Sequence, residues 1–428
     1  MEEFRALDID SACAEVAANP KLREIAGAGA ITATEIGDGN LNQVFVFQAA
    51  QASKPTLLLK QALPYLRVAG EGWPLTRERM RFETESLLLH NQIAPDLVPE
   101  VFAHDLDNSW VAMEFLADHE VMRVSLVKGT PLRNAGQEIG RFSAKLTYHS
   151  SEMSMPARDK RALVQKYTNP DLCNLQEQFV FTNPFFLSEE NNWIPAIDSE
   201  VKAARADGEL KRAIAMAKAD YMSNTQALLH GDLHTGSVMV TKAGDTPATR
   251  IIDPEFAFYG PVAYDLGTLM ANFAIGALTQ ARLGGDPAMR RSLQTELVEA
   301  IGQAWKGFVG EIEKLWTLDA SGDLATSEYW NGDEQAFAAF RADYLRSIAA
   351  SCGRHGGCEL LRRCLGIVSV RELESIEDME GRGEVERQII AIARNWLLDP
   401  MPGTAALANA VDHLAARVEA AISTLGRP

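Results

Sequence analysis

Cysteine is scarce in this chain. Its 428 residues hold five, at 13, 173, 352, 358 and 364, an odd number with no Cys-x-x-Cys pair. That spacing excludes a disulfide-stapled framework and a zinc site built from paired thiolates. The thiols are expected to be reduced and mostly buried. Long apolar runs are missing too: none approaches the ~20 residues that cross a bilayer. The opening Met1-Glu2-Glu3-Phe4 has no basic region followed by an apolar core, so no secretory signal is expected and the chain reads as cytoplasmic. Basic residues fall short of acidic ones, 41 against 58, for a formal net charge of −17. Nucleic acid, a polyanion, would be repelled. A small anion held by a local cationic site would not. There are no internal repeats and no low-complexity segment. What remains, 46% hydrophobic and 23% charged residues, is ordinary for a globular protein long enough for two lobes.

One stretch organises the rest. Leu229-His230-Gly231-Asp232-Leu233-His234 precedes two short β-branched runs, Val238 to Thr241 and Arg250 to Ile252, separated by the turn-rich Ala243-Gly244-Asp245-Thr246-Pro247. Asp253-Pro254-Glu255 follows. In an antiparallel pair the residues before the first strand lie beside those after the second. Asp232, Asp253 and Glu255 are therefore expected to converge. Isolated acids of this kind cap turns and face water. Three at one hairpin end repel one another unless a cation sits there, and a hard divalent ion such as Mg²⁺ suits oxygen ligands.

The N-terminal part reads as a small sheet. Residues 1 to 30 are an Ala-rich helical lead-in. Ile31 to Ile36 and Val44 to Phe47 then form a hairpin around Gly37-Asp38-Gly39-Asn40. Its glycines allow backbone N–H groups to approach phosphates, with the cradle running from Gly37 to Asn42, although such a turn can be only a turn. The strand Thr56 to Leu59 ends at Lys60. Thr76 to Ile93 is helical and carries Glu83 and Glu85, of which Glu83, one turn before Leu87, is the favoured partner for Lys60. Gly70-Glu71-Gly72-Trp73-Pro74-Leu75 between them reads as an ordered loop. Val98 to Phe102 and Trp110 to Met113 complete the sheet, and Glu114-Phe115-Leu116 leads out of it.

Beyond residue 118 the pattern is helical. Gly136 to Tyr148 is amphipathic, Asn169 before Pro170 is a candidate helix cap, residues 198 to 228 are helical, and so is the chain from about residue 286. Asp265 is expected to brace the His230 loop by accepting backbone hydrogen bonds. Arg362 and Arg363 lie together in an apolar helix and must find partners, since an unpaired buried guanidinium is costly.

The His230-x-Asp232 loop with an acid after the next hairpin resembles the kinase-like and aminoglycoside phosphotransferases. The fuller runs, His-Gly-Asp-Leu-His-Thr-Gly-Ser (230 to 237) and Asp-Pro-Glu-Phe-Ala-Phe-Tyr-Gly-Pro (253 to 261), look like the methylthioribose kinases of methionine salvage, in register from about Glu35 to Ile367. The resemblance implies an α+β, bilobal protein-kinase-like fold, with a nucleotide-binding lobe over 1–116 and a mostly helical lobe over 117–428. It implies ATP and Mg²⁺, the 1-hydroxyl of 5-methylthioribose as acceptor, and a homodimer. Asp232 would be the base beside the acceptor, and Asp253 and Glu255, around Pro254, would hold the metal. Gly37, Asp38, Gly39, Asn40, Asn42 and Lys60 would grip the phosphates, with Glu83 pairing Lys60. The backbone of Glu114, Phe115 and Leu116 would meet adenine. Trp73 would lie near the substrate, and Arg362 or Arg363 would face the substrate and the moving phosphate.

Two departures separate the chain from protein kinases and agree with the narrower family. Ser237 stands where a second metal-binding Asn is usual, and Asp253-Pro254-Glu255 replaces Asp-Phe-Gly, so Glu255 is inferred to take the vacated ligand role. A third, Gly72 in place of the family's usual Ser, would loosen the Trp73 loop. The competing readings are a related kinase with an aminoglycoside, choline or homoserine acceptor, and a pseudokinase without turnover.

Overall fold

Strand alternation sorts the first sheet into two faces. The computed structural model describes residues 4–36, 41–67, 70–242, 249–324, 326–399 and 405–426. Ile31–Glu35 (β1), Asn42–Ala49 (β2), Leu57–Ala62 (β3), Val101–Asp105 (β4) and Trp110–Glu114 (β5) form an antiparallel sheet in the order β1-β2-β3-β5-β4. Phe45, Phe47, Leu57, Leu59, Trp110 and Ala112 pack against helices Ile9–Ala18 (α1) and Pro20–Ala26 (α2). Ala62, Val111 and Met113 pack on the opposite face against Met80 and Leu87 of helix Arg79–Ile93 (α3). Period-two geometry then leaves Lys60 on the α3 side, between Leu58 and Ala62.

The expected helical lead-in is two helices. The Asn19 side chain accepts from the Leu22 amide, and Pro20, which has no N–H to continue α1, opens α2. The helix anticipated from Thr76 begins at Arg79. The strand anticipated at Val98 begins three residues later, after a 3₁₀ turn at Pro95–Leu97.

Past β5 the chain becomes a helical body. Its helices are Met122–Lys128 (α4), Ala135–His149 (α5), Ala157–Lys166 (α6), Pro170–Phe179 (α7), Asp198–Ala206 (α8) and Gly208–Ser223 (α9). Val262–Thr279 (α10), Pro287–Leu318 (α11), Ser327–Trp330 (α12), Glu334–Leu365 (α13), Arg371–Glu374 (α14), Met379–Leu398 (α15) and Asp412–Leu425 (α16) follow. Every residue of α10 is buried, and α5, α11, α13 and α15 surround it. A helix apolar all round belongs in the interior.

Two small sheets carry the loops of interest. His119–Val121 (β6), Val238–Thr241 (β8) and Thr249–Ile251 (β9) form one, and Ala227–Leu228 (β7) with Tyr259–Gly260 (β10) the other. Val238 pairs with Ile251, so the chain before β8 and the chain after β9 emerge side by side. This body rests on one continuous core reaching from Phe82 to Leu425.

Close packing of α5 on α11 depends on glycine. A Cβ on Gly140 would run into the Ala304 carbonyl and the Phe308 amide. Gly140→Ala is expected to lower the unfolding free energy by about 1–3 kcal/mol. Gly310→Ala, on the exposed side of α11 with open space around it, should instead raise it by up to ~1 kcal/mol through helix propensity. Urea unfolding of both variants checks the pair.

Candidate active site

Lys60 and α3 approach the hairpin end from above. Lys60 Nζ lies 2.8 Å from Glu83 Oε1 and also bonds the Asp253 carboxylate. Carboxylate oxygens of Glu83, Asp253 and Glu255 all lie within 4.8 Å of one another. The third acid is thus Glu83, delivered by α3, and not Asp232. Asp232 is drawn aside toward His234 and Arg362, which corrects the convergence expected from the hairpin alone.

Burial decides the charge states. It would strip Lys60 of its proton, yet Asp253, Glu83 and Glu255 hold the ammonium above its ordinary pKa. Burial pushes Glu83 up to about 8, and Glu255 upward too. Asp253, 43% exposed, stays low despite desolvation because Lys60 stands against it. Glu255 has its own supports. Asn42 Nδ2 donates to its Oε2 at 3.0 Å, and the wholly buried Arg79 lies 3.4 Å from the same oxygen. Arg79 Nε also donates to Asn42 Oδ1 at 3.1 Å. Glu83 Oε2 is buried and has no hydrogen-bond partner among the described residues. An all-carboxylate donor set with an unsatisfied oxygen fits a hard divalent cation.

Below this cluster the His230 loop is fixed from several sides. The Asp265 carboxylate accepts from the His230 amide at 2.7 Å and the Gly231 amide at 3.0 Å, the bracing anticipated from sequence. Gly231 has φ 84°, and a Cβ there would strike the Phe256 carbonyl, so only glycine fits. The Gln176 side chain on α7 bonds the Gly231 carbonyl. Asp232 remains 25% exposed, with Oδ2 at 3.3 Å from His234 Nε2 and Oδ1 at 3.9 Å from Arg362 Nη2. Burial raises its pKa, and Arg362 and Arg363 pull against that rise.

Asn169 is not the side-chain cap that its place before Pro170 suggested. It is buried with φ 41°, and its Nδ2 donates to the Glu255 and Ala257 carbonyls, both at 3.0 Å. Holding Nδ2 on the acidic loop turns the side chain away from the helix terminus, and Oδ1, the atom that a cap would use, has no hydrogen-bond partner among the described residues.

The two arginines hang from one carboxylate. Glu359, one turn earlier on α13, accepts from Arg362 Nε, from Arg363 Nε at 2.8 Å and from Asn272 Nδ2 at 3.1 Å. Both guanidiniums spend Nε on Glu359, and Arg362 is the one within 4 Å of Asp232. Burial, with Arg362 beside it, pushes Arg363 down to about 10.

The remaining candidates are more scattered. Trp73 stands 6.3 Å from the Phe179 ring and lines a cavity of about 600 Å³ with Leu75, Asp171, Gln178 and Glu190. Asp232 and the arginines lie outside its wall. Glu114 ends β5, the Phe115 amide donates to the Thr56 carbonyl at 2.9 Å, and Leu116 is buried. Pro254 is buried between the two acids. Gly37, Asp38, Gly39 and Asn40 lie outside the described residues, as does the turn after β8.

Sequence reasoning gave no role to Arg79, His234 and Glu359, and gave Asn169 a different one. Two left a signal. Arg79 precedes Glu83 by four residues, and Glu359 precedes Arg362 and Arg363 by three and four, the spacings at which helical side chains meet.

Comparison with known proteins identifies the family. The phosphotransferase enzyme family is matched over residues 32–310. A methylthioribose kinase of Escherichia coli is 35% identical over 369 residues, 86% of each chain. One from Yersinia enterocolitica is 36% identical over 391 residues, 91% of this chain and 92% of the relative. The chain belongs to the methylthioribose kinase family. It is therefore a kinase, a small-molecule phosphotransferase of mixed α and β structure. A solved aminoglycoside phosphotransferase from Alicyclobacillus acidocaldarius is 12% identical and covers 98% of this chain and 96% of that one. Its TM-score is 0.42, a level of likeness that decides nothing about the acceptor.

The Glu359 fork has a pH signature. Burial opposes ionisation of Glu359, but Arg362 and Arg363 hold its pKa far below the ordinary 4.5. A depressed folded pKa gives stability that is complete above the unfolded value and lost as pH falls below it. Glu359→Gln should therefore cost about 3 kcal/mol at neutral pH, as breaking a buried pair does. The gap from wild type should narrow below about pH 4.5. Urea unfolding of both proteins across that range measures it.

Proposed function

We propose that the chain transfers the γ-phosphoryl group of ATP to the 1-hydroxyl of 5-methylthioribose, giving S-methyl-5-thioribose 1-phosphate and ADP in methionine salvage. The observation that carries this reading is the placement of Asp232. It is the partly exposed acid beside Arg362 on a rigid loop, next to a separate cluster of acids gathered around Lys60. Membership of the family supports the acceptor.

In this reading Asp232 orients the acceptor hydroxyl and takes its proton as the bond to phosphorus forms. Asp253 and Glu255 would hold Mg²⁺, with Glu83 close by, and Pro254 would fix the spacing between the two. The bound ion would neutralise charge on the β- and γ-phosphates. Lys60 and the run from Gly37 through Asp38, Gly39 and Asn40 to Asn42 grip the same phosphates. Arg362 faces the charge that develops during transfer, while Arg363, nearly buried, steadies the fork behind it. The backbone from Glu114 through Phe115 to Leu116 receives adenine, and Trp73 lies near the acceptor. Residues 1–116 serve as the nucleotide lobe and 117–428 as the acceptor lobe. A cytoplasmic homodimer completes the reading. No helix among the described residues is long and apolar enough to cross a membrane, which supports its location, and the family resemblance supports the dimer.

ADP release with ATP and Mg²⁺ tests the proposal, using methylthioribose beside choline, homoserine and kanamycin. Turnover is expected on methylthioribose alone, and Asp232→Ala should lower it roughly 100- to 10,000-fold. Turnover on another acceptor only would replace the substrate. Undiminished turnover by Asp232→Ala would remove the base.

A further inference from the structure

His234 lies two residues past Asp232, and no step above uses it. Its imidazole is mostly buried, and its two nitrogens face different groups. Nδ1 lies 3.1 Å from each of three atoms: the Gly236 amide nitrogen, the Ser237 amide nitrogen and Ser237 Oγ. Two of these are backbone N–H groups that can only donate. Nδ1 is therefore an acceptor and carries no proton. The ring proton must sit on Nε2, which lies 3.3 Å from Asp232 Oδ2.

We propose that His234 is a positioning residue, locked by the Gly236-Ser237 turn as the neutral Nε2–H tautomer so that it donates to Asp232 and fixes the plane of that carboxylate. This rests on the reading of Asp232 as the group that takes the acceptor's proton. The acceptor proton goes to Asp232, and the imidazole proton stays on Nε2.

Three further observations agree. Burial, with Arg123, Arg363 and Arg362 nearby, holds the imidazole pKa well below its usual value, so the ring remains neutral. A neutral donor orients the carboxylate without cancelling its charge, as an imidazolium would. Gly236 leaves the necessary space: a Cβ there would come within 2.7 Å of His234 Cε1. Ser237 also gains a purpose. It occupies the position where the general kinase pattern places a metal-binding Asn, and here its amide and hydroxyl both address His234. Its side chain is 2% exposed and turned inward. The residue that departs from the pattern has changed its task from binding a metal to setting a tautomer.

Two substitutions separate the nitrogens. His234→Asn keeps an acceptor near the Nδ1 position and removes the donor to Asp232. His234→Gln keeps a donor near the Nε2 position. The expected result is a kcat lowered roughly 10- to 100-fold in His234→Asn, the worth of a hydrogen bond to a charged group, with the KM for ATP unchanged. His234→Gln should recover most of that loss.

Heteronuclear NMR of ¹⁵N-histidine-labelled wild type supplies a readout independent of turnover. The His234 signals, assigned from their disappearance in His234→Asn, should report a neutral ring protonated at Nε2. A proton on Nδ1, or an imidazolium at neutral pH, would overturn the proposal. So would wild-type kcat in His234→Asn while Asp232→Ala is inactive, an outcome that leaves the role of Asp232 standing. Full activity in Asp232→Ala would instead overturn both.

Discussion

Lys60 and Arg79 meet Glu83 and Glu255 where little water reaches, with the half-exposed Asp253 at the edge, and much of the site depends on that balance. Removing charges from water is costly unless opposite charges and hydrogen bonds replace it. Here the replacement comes from two parts of the chain. β3 and α3 provide Lys60, Arg79 and Glu83, and the turn after β9 provides Asp253 and Glu255. Asn42, at the start of β2, ties Glu255 to Arg79 through both ends of its amide. The small sheet and the helical body are thus joined by a compact polar network at the site itself.

A second network holds Asp232 and the two arginines. Asp265 fixes the His230 loop from α10, Gln176 holds it from α7, and Glu359 orients the arginines from α13. Of these helices α10 and α13 sit in the continuous core, and α7 lies against it through Cys173. The positions of Asp232 and Arg362 therefore follow from three bracing side chains, Asp265, Gln176 and Glu359, on packed helices. Preorganised charge of this kind requires little rearrangement when a reaction develops charge beside it.

Much of this was legible in the order of the residues. The apolar run from Thr56 to Leu59, ending at Lys60, and the apolar runs on either side of the turn after β8 reveal strands. The runs from 230 to 237 and from 253 to 261 carry the family. Less legible were contacts made by distant residues with no periodic signal. Nothing local says that Asn169 must leave its own helix to bond the carbonyls beside Glu255. The hairpin suggested that Asp232 would join the acids, because the sequence does not show that α3 delivers Glu83 into that space first. His234 looked like one more residue of a motif until the directions of its two nitrogens were known.

The Lys60–Asp253 bond makes occupancy of this cleft a matter of exchange. Each of these groups has its countercharge at hand before anything arrives. An anion that takes Lys60 leaves Asp253 bare, and a cation that takes Asp253 leaves Lys60 with one acid fewer. A partner of either sign arriving alone breaks one pairing to make another. Anion and cation arriving as a neutralised unit satisfy both residues at once, so the cleft favours a preassembled complex over its separate parts.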